Sequence, residues 1–382
     1  MTDDLIPVLD KVWADAEVAG FAGWDPYDGL NSRFFRSTPF SRIPLARQAW
    51  IQLIKRSPLN LRPLLGQSPE VLAKGLALFA LGAWRLSEVG GRDAEVWRSR
   101  GTLLLEKLMA LRSPGFDEIC WGYPYDWQSR AFFQPRDSPN LICSVFGSLA
   151  FERRADGGDA HTVRENVARF IERHLKRESA GATWITYTPA TSTQVHNVNM
   201  LGAALLARAG SRDLARTTMG FSVERLKPNG SWPYGEALNQ AWVDNFHTGY
   251  NLVALEDYRS TTGETWMDEA LEKAYRYWDE IFGRDDGAPG YYDTGFHPVD
   301  IHSSAQAILT YLFLARLDNN ALAKARQVAN WTLSHMWDRH RHFVFQRTRF
   351  YVNKVPMVRW GQAWMFWALA ELQAAEIRSG AP

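Results

Sequence analysis

The sequence predicts an all-α protein whose helices form a toroid of two concentric rings. Three observations lead there. Helical periodicity runs through almost the whole chain from residue 42 onward, and strand signals are short and confined to connections such as 183–188 and 342–346. Strongly apolar helices alternate with amphipathic ones, as expected if the first kind is covered on all sides and the second faces water. The connections entering the apolar helices also repeat. His196 in STQVHNVNM, His247 in WVDNFHTGY and His302 in PVDIHSSAQ lie 51 and 55 residues apart, one helical hairpin each. An open superhelix of repeats is the competing arrangement. The apolar helices lack the solvent face that such an array exposes, so closure is expected.

The elements follow in order. Residues 1–20 form an acidic amphipathic helix, and 21–35, FAGWDPYDGLNSRFF, are broken by Pro and Gly into a strap over the domain. Residues 42–57 place Leu45, Trp50 and Ile54 at near-helical spacing. Ser68 before Pro69 is an N-cap followed by proline at the first helical position, which opens 69–90, apolar nearly all round. A more polar partner spans 92–112. The alternation continues with apolar helices at 139–155, 196–210, 245–260 and 302–317. Their amphipathic or polar partners are 160–175, 212–227, 264–282 and 319–337, and an aromatic helix at 357–377 closes the chain. Twelve helices plus the N-terminal one are expected in one toroid domain over 1–382, with 1–40 as helix and strap.

Composition excludes several function classes. Hydrophobic residues make up 46%, enough for a large core. A net charge of +1 from 43 basic and 42 acidic residues leaves no footprint for nucleic acid. Two cysteines, Cys120 and Cys143, make neither a disulfide framework nor a CxxC metal pattern. No HxxxH spacing occurs, so no metal is expected. GxGxxG, GxxxxGK[ST], GxSxG and DDxxD are absent, which removes the nucleotide, hydrolase-elbow and prenyl-diphosphate fingerprints. No cofactor is expected. No run approaches the ~20 apolar residues of a membrane span. The N-terminus lacks the basic and apolar regions of a signal peptide, and a cytoplasmic location is expected.

Tryptophan is over-used: 17 Trp accompany 13 Tyr and 20 Phe, many of them in loops beside polar residues. Rings outside a core suit flat amphipathic ligands, sugars above all, whose C–H faces stack while their hydroxyls seek polar partners. The stretch 229–250, NGSWPYGEALNQAWVDNFHTGY, concentrates this chemistry. It offers Trp232, Tyr234, Asp244, Asn245, His247 and Tyr250 around a helix start. His247 and Tyr250 are three apart and share a face, a credible acid/base pair. Asp300, His302 and Tyr292 repeat the flavour in the next unit. Trp121, Tyr123, Asp126 and Trp127 do so in CWGYPYDWQSR, followed by His196 and Asn197 and by Arg359, Trp360 and Gln362. If the apolar helices form the inner ring, their N-termini share one mouth and favour anionic groups on a ligand.

These loops resemble those of the six-hairpin, (α/α)6-toroid carbohydrate-active proteins, in particular ones found in bacterial polysaccharide-biosynthesis loci. The likeness is carried by DPYDGLNS (25–32), CWGYPYDWQ (120–128), NGSWPY (229–234), VDNFHTGY (243–250), YYDTGFHPVDIHSSAQ (291–306) and VRWGQAW (358–364). VDNFHTG and RWGQAW are also similar to the Asp-Asn and Arg-Gly-Gln-Ala-Trp segments of unsaturated glucuronyl hydrolases, with Trp360 inserted between Arg359 and Gly361. In composition the loops are similar to those of uronate lyases and glucuronyl C5-epimerases. The resemblance implies an (α/α)6 toroid with short β-hairpin loops on the active face. It also implies a polysaccharide or oligosaccharide substrate, with uronic acid or other anionic sugars.

Two enzymatic readings follow. Hydrolysis needs two carboxylates flanking the scissile bond; Asp244 and Asp300 form the pair, with Asp126 in reserve and His247 and His302 orienting sugar or water. Lyase or epimerase chemistry needs a base, from His247, Tyr250 or Tyr292, with Arg359 and Asn245 neutralising a carboxylate. The acidic residues at successive loop ends place hydrolysis slightly ahead. A non-catalytic glycan-binding factor with the same aromatic cleft is the reading from another class.

Overall fold

The computed structural model describes residues 5–90, 93–130, 132–154 and 157–380. The first four residues of the predicted N-terminal helix, Arg92 and Ala155 lie outside the described residues. The first helix is α1 (Ile6–Val18), followed by the one-turn α2 (Arg33–Arg36) and by α3 (Pro44–Arg56). Six helices then alternate with five partners. The six are α4 (Ala73–Val89), α6 (Leu141–Glu152), α8 (His196–Arg208), α10 (Asn245–Thr262), α12 (Ile301–Phe313) and α14 (Trp364–Ser379). The five are α5 (Ala94–Ala110), α7 (Ala160–Phe170), α9 (Arg212–Val223), α11 (Asp268–Phe282) and α13 (Ala321–His335).

The six helices form the inner ring. Each packs on the next, and α14 returns to α4, so the ring is closed. Their sequences dictate this place: α8, HNVNMLGAALLAR, is buried from His196 through Ala207 and has no face to offer water. Small residues set the spacing. A Cβ on Gly82 of α4 would lie 2.6 Å from the Phe366 ring of α14, and one on Gly249 of α10 would meet Gln306 of α12 at 2.7 Å. The outer helices are amphipathic in the expected way. In α11 the buried residues Leu271, Ala274, Tyr275, Trp278 and Phe282 fall on one stripe, and each large one contributes about 1.5–3 kcal/mol by leaving water.

The sixth outer position differs from expectation. The predicted helix over 42–57 is present as α3 but is not a ring helix; it packs on the strap turn Asp28–Asn31 and on the strand Trp127–Gln128. The outer place is filled by α1, which lies against α14. Trp13 of α1 meets Phe366 of α14 at 5.6 Å and Trp97 of α5 at 5.3 Å, an aromatic joint across the closure. The reason is burial: Leu9, Val12, Trp13 and Ala16 of α1 are inside, whereas the exposed positions of α3 include Leu45 and Leu53.

The strands are short, antiparallel and lie in the loops. Strands β1 (Ala22–Gly23) and β2 (Glu70–Val71) tie the strap to the approach of α4. Two hairpins follow, β3 (Trp127–Gln128) with β4 (Phe133–Gln134) and β5 (Lys176–Ser179) with β6 (Ala182–Ile185). Strands β7 (Val299–Asp300), β8 (Gln346–Arg347) and β9 (Val352–Asn353) form a three-stranded sheet in that order. No helix among the described residues is long and apolar enough to cross a membrane.

Candidate active site

The N-terminal ends of all six inner helices open into one cleft of about 1100 Å³. Lys74 of α4, Ile142 of α6, Asn197 of α8, His247 and Tyr250 of α10 and His302 of α12 line it, with Arg359 and Trp360 from the turn before α14. Loop rings complete the wall, among them Tyr27, Tyr123, Trp127, Tyr234, Trp242 and Tyr292. Helix α3 borders the mouth through Gln48, Gln52 and Lys55.

Asp244 begins α10 as its N-cap. Its Oδ1 accepts the His247 N–H at 2.9 Å, and its Oδ2 accepts His247 Nδ1–H at 2.6 Å and the Trp242 indole N–H at 3.0 Å. One carboxylate therefore satisfies a helix start and fixes an imidazole. With Nδ1 as donor, the lone pair of His247 sits on Nε2. The carboxylate is buried while the imidazole is 21% exposed, as expected of a base anchored from behind.

His302 on α12 lies in a different environment. Its Nε2 and the Tyr250 hydroxyl share a hydrogen bond of 2.5 Å. Burial, then the charges of Lys74 and Arg359, holds its pKa well below the usual histidine value, so the ring stays neutral. Burial likewise drives the Tyr250 phenol well above its usual range. Among the described residues, His302 Nδ1 and Asn197 Oδ1 are buried polar atoms with no hydrogen-bond partner, and both residues line the cleft.

Lys74 sits in the first turn of α4, only 2% exposed. Its Nζ lies 4.2 Å from the Phe146 ring centre and 4.9 Å from that of Trp364, with a long contact of 3.5 Å to the Tyr250 hydroxyl. Burial, then the Arg359 charge, pushes its pKa well down. Lys74, Tyr250 and His302 thus form a chain from the cleft floor.

Arg359 faces the Tyr123 ring at 5.0 Å. Its Nε and Nη2 donate to the two oxygens of Asp25 at 2.7 and 2.8 Å, a bidentate pair buried to 2% and 1% exposure. Tyr125 donates its hydroxyl to the same carboxylate at 2.8 Å. The fork expected to clamp a substrate carboxylate is therefore occupied by the strap, and Nη1 alone lies outside that pair.

The structure brings together Asp244, His247, Tyr250, His302, Tyr123, Trp127, Asn197, Tyr234, Tyr292, Arg359 and Trp360 on one cleft. It places the other expected residues elsewhere. Asp300, expected as the second carboxylate, is fully buried as the N-cap of α12. It accepts from His302 N–H at 2.9 Å, from Trp360 Nε1 at 2.8 Å and from Gln346 Nε2 at 2.5 Å, and burial raises its pKa. Asp126 accepts the Arg136 backbone N–H at 2.8 Å beyond the cleft. Trp121 and Trp232 are core residues that donate to the carbonyls of Leu108 and Ser222. His196 is enclosed between Ser222 at 3.1 Å and Glu236 at 2.8 Å. Asn245 holds the Gly290 carbonyl and the Trp278 indole, and Gln362 clamps both backbone groups of Phe343. Asp300 and Asn245, each at a helix start, are thus engaged by neighbouring protein groups rather than by the cleft. Lys74, Trp242 and Asp25 were not expected. Lys74 carries a readable signal, since a lysine in a helix apolar all round has no solvent face. No group of three or more His, Cys, Asp or Glu able to hold a metal occurs among the described residues.

No protein-family model matches the sequence, and no curated protein matches it. Solved structures do match in fold. A cellobiose 2-epimerase from Bacillus thermoamylovorans aligns with a TM-score of 0.59 at 10% identity, over 79% of this chain and 88% of that one. An unsaturated glucuronyl hydrolase specific for heparin gives 0.57 at 12%, over 80% and 86%. A family 76 glycoside hydrolase (mannosidase) from Bacteroides thetaiotaomicron gives 0.56 at 13%, over 83% and 89%. The chain shares their toroid fold.

Proposed function

We propose that the protein is a carbohydrate-active enzyme that epimerises or isomerises a reducing sugar by moving a proton at the carbon beside its carbonyl. The observation that carries this is the pair of histidines on neighbouring inner helices. His247 is anchored by Asp244 with Nε2 available, and His302 is neutral and bonded to Tyr250. Two proton carriers in unlike environments are what an acid/base exchange requires.

In the step proposed, His247 Nε2 takes the proton from C2 of the open-chain sugar. The C–H electrons form a C1=C2 bond, and negative charge collects on O1. Arg359 Nη1 and the Lys74 amine stand on the cleft floor to receive that charge. Tyr250, relayed by His302, returns a proton to C2 on the opposite face, re-forming the C1 carbonyl and giving the epimer, or to C1 while the O2 proton passes to O1, giving the ketose. The cleft exceeds the usual size of small-molecule pockets, and Trp127, Tyr234 and Trp242 line it, which favours an oligosaccharide over a single ring. Fold neighbours described as a cellobiose 2-epimerase and a sugar epimerase add support.

Hydrolysis by paired carboxylates fits less well. Asp244 is the single carboxylate lining the cleft among the described residues, and its oxygens already accept three hydrogen bonds. A passive glycan-binding cleft would have no use for a buried Lys74 and a neutral His302, which cost stability. The Asp25 clamp on Arg359 turns the reading from uronates toward neutral sugars. The test is incubation with reducing disaccharides in D2O. Deuterium at C2 with a new epimer or ketose supports the proposal, whereas new reducing ends without exchange would replace it by hydrolysis.

A further inference from the structure

One segment departs from the charge balance of the rest. No acidic residue occurs between Asp28 and Glu70, while seven Lys and Arg fall there, in a chain of net charge +1. Arg62 is buried against Asp28, but Arg33, Arg36, Arg42 and Arg56 are exposed. The same segment holds seven of the seventeen exposed large apolar side chains among the described residues, including Phe40 (59%), Leu45 (77%) and Leu64 (85%). Monomers rarely leave such tips clustered without a partner.

Helix α3 carries the pattern. Leu45, Ala49, Leu53 and Arg56 recur every three or four positions on its exposed stripe, while Ile51 and Ile54 pack inward. Phe350, 88% exposed at the β8–β9 turn, stands beside it. That turn is tied to the end of α3, since the Tyr351 hydroxyl donates to the Arg56 carbonyl and Asn353 Nδ2 to those of Lys55 and Ser57. The face borders the cleft, whose mouth Leu45, Gln52, Arg56 and Phe350 line.

We propose that this basic, apolar face seats the protein on an anionic lipid bilayer with the cleft mouth toward the membrane, and that the sugar it processes is carried on a lipid. The second half rests on the function proposed above; the first does not. Charge and apolarity select the partner together. Arginines among apolar tips match an anionic headgroup layer over a hydrocarbon core. A second copy meeting the same face across a two-fold axis would oppose like charges. A nucleic-acid backbone would leave Phe40, Leu64 and Phe350 without a role.

The test is co-sedimentation of the full chain with vesicles of phosphatidylcholine and phosphatidylglycerol at 70:30, and with phosphatidylcholine alone. Binding is expected to the anionic vesicles only, weakening as salt is raised to half molar. Phe40→Ser and Arg42→Glu lie off the cleft; each should weaken partitioning by about fivefold or more. Both should keep the wild-type circular dichroism and full turnover of a soluble sugar. Wild-type protein left in the supernatant, variants that bind as the wild type does, or a dimer in sedimentation velocity that Phe40→Ser dissolves would overturn the bilayer seat. Given binding, equal rates on a soluble sugar and on the same sugar linked to lipid in those vesicles would overturn the lipid-carried substrate alone.

Discussion

Replacing Lys74 by Met should make the protein more stable and leave it inactive. Lys74 is 2% exposed, no ion pair is found for it among the described residues, and its Nζ reaches the Tyr250 hydroxyl only at 3.5 Å. A buried polar group so poorly satisfied costs about 1–3 kcal/mol. Methionine has nearly the same length and fills the space with apolar surface, so a gain of about 2 kcal/mol is expected. With unfolding entropy near ~2.1 cal/mol/K per residue, the 382 residues give roughly 0.8 kcal/mol/K and a rise in Tm of about 2–3 °C. The native pKa of Lys74 lies well below its unfolded value, so between the two the unfolded chain binds the extra proton. Wild-type stability must then rise with pH through that window, by up to ~1.4 kcal/mol per unit, and fall as pH drops. The variant lacks this slope, and its advantage at pH 7 should shrink toward pH 10. Denaturant unfolding at both pH values measures it, and D2O exchange into the sugar measures turnover, expected to fall about 10²–10³-fold. A variant less stable at pH 7, a gap independent of pH, or full turnover would refute the reasoning.

The remaining expectations concern the acids and rings. Asp244→Asn keeps an N-cap of similar quality but removes the anion behind His247, so stability should change by less than about 1 kcal/mol while kcat falls by about 10²–10⁴. Steady-state kinetics with thermal unfolding separates the two. Asp25→Asn strands the Arg359 guanidinium at 2% exposure and should cost about 3–5 kcal/mol; adding Arg359→Met should recover most of it in denaturant melts. Trp232→Ala should destabilise by about 3–5 kcal/mol, since Trp232 is 1% exposed in the core. Trp127→Ala should instead weaken sugar binding by about 1 kcal/mol in titration calorimetry.

The ring was legible because its cause is local. A helix such as α8, buried from His196 through Ala207, advertises its place in its own residues. The cleft was partly legible for the same reason: His247 and His302 sit at helix starts, and closed topology brings helix starts together. The roles of the acids were not. Asp244 and Asp300 both cap a helix, and the difference lies in the neighbours. His247 and Trp242 turn Asp244 toward the cleft wall, whereas Gln346 and Trp360, contributed by residues far along the chain, close over Asp300. Position in a repeat predicts where a residue stands, not which way its side chain is engaged. The exchange of α1 for α3 in the outer ring was hidden similarly, because both are amphipathic helices of 13 residues and only contact with α14 decides between them.

The Asp25–Arg359 pair spans 334 positions. The ribosome delivers Asp25 long before Arg359, and domains assemble as their segments emerge. Until α14 docks, the faces of α4 and α12 that it will cover stand open, the guanidinium has no counterion and the cleft has no floor. On the exchange proposed above, a nascent chain with five hairpins holds both histidines but lacks Arg359 and the cleft floor, so that reaction would require α14 in place.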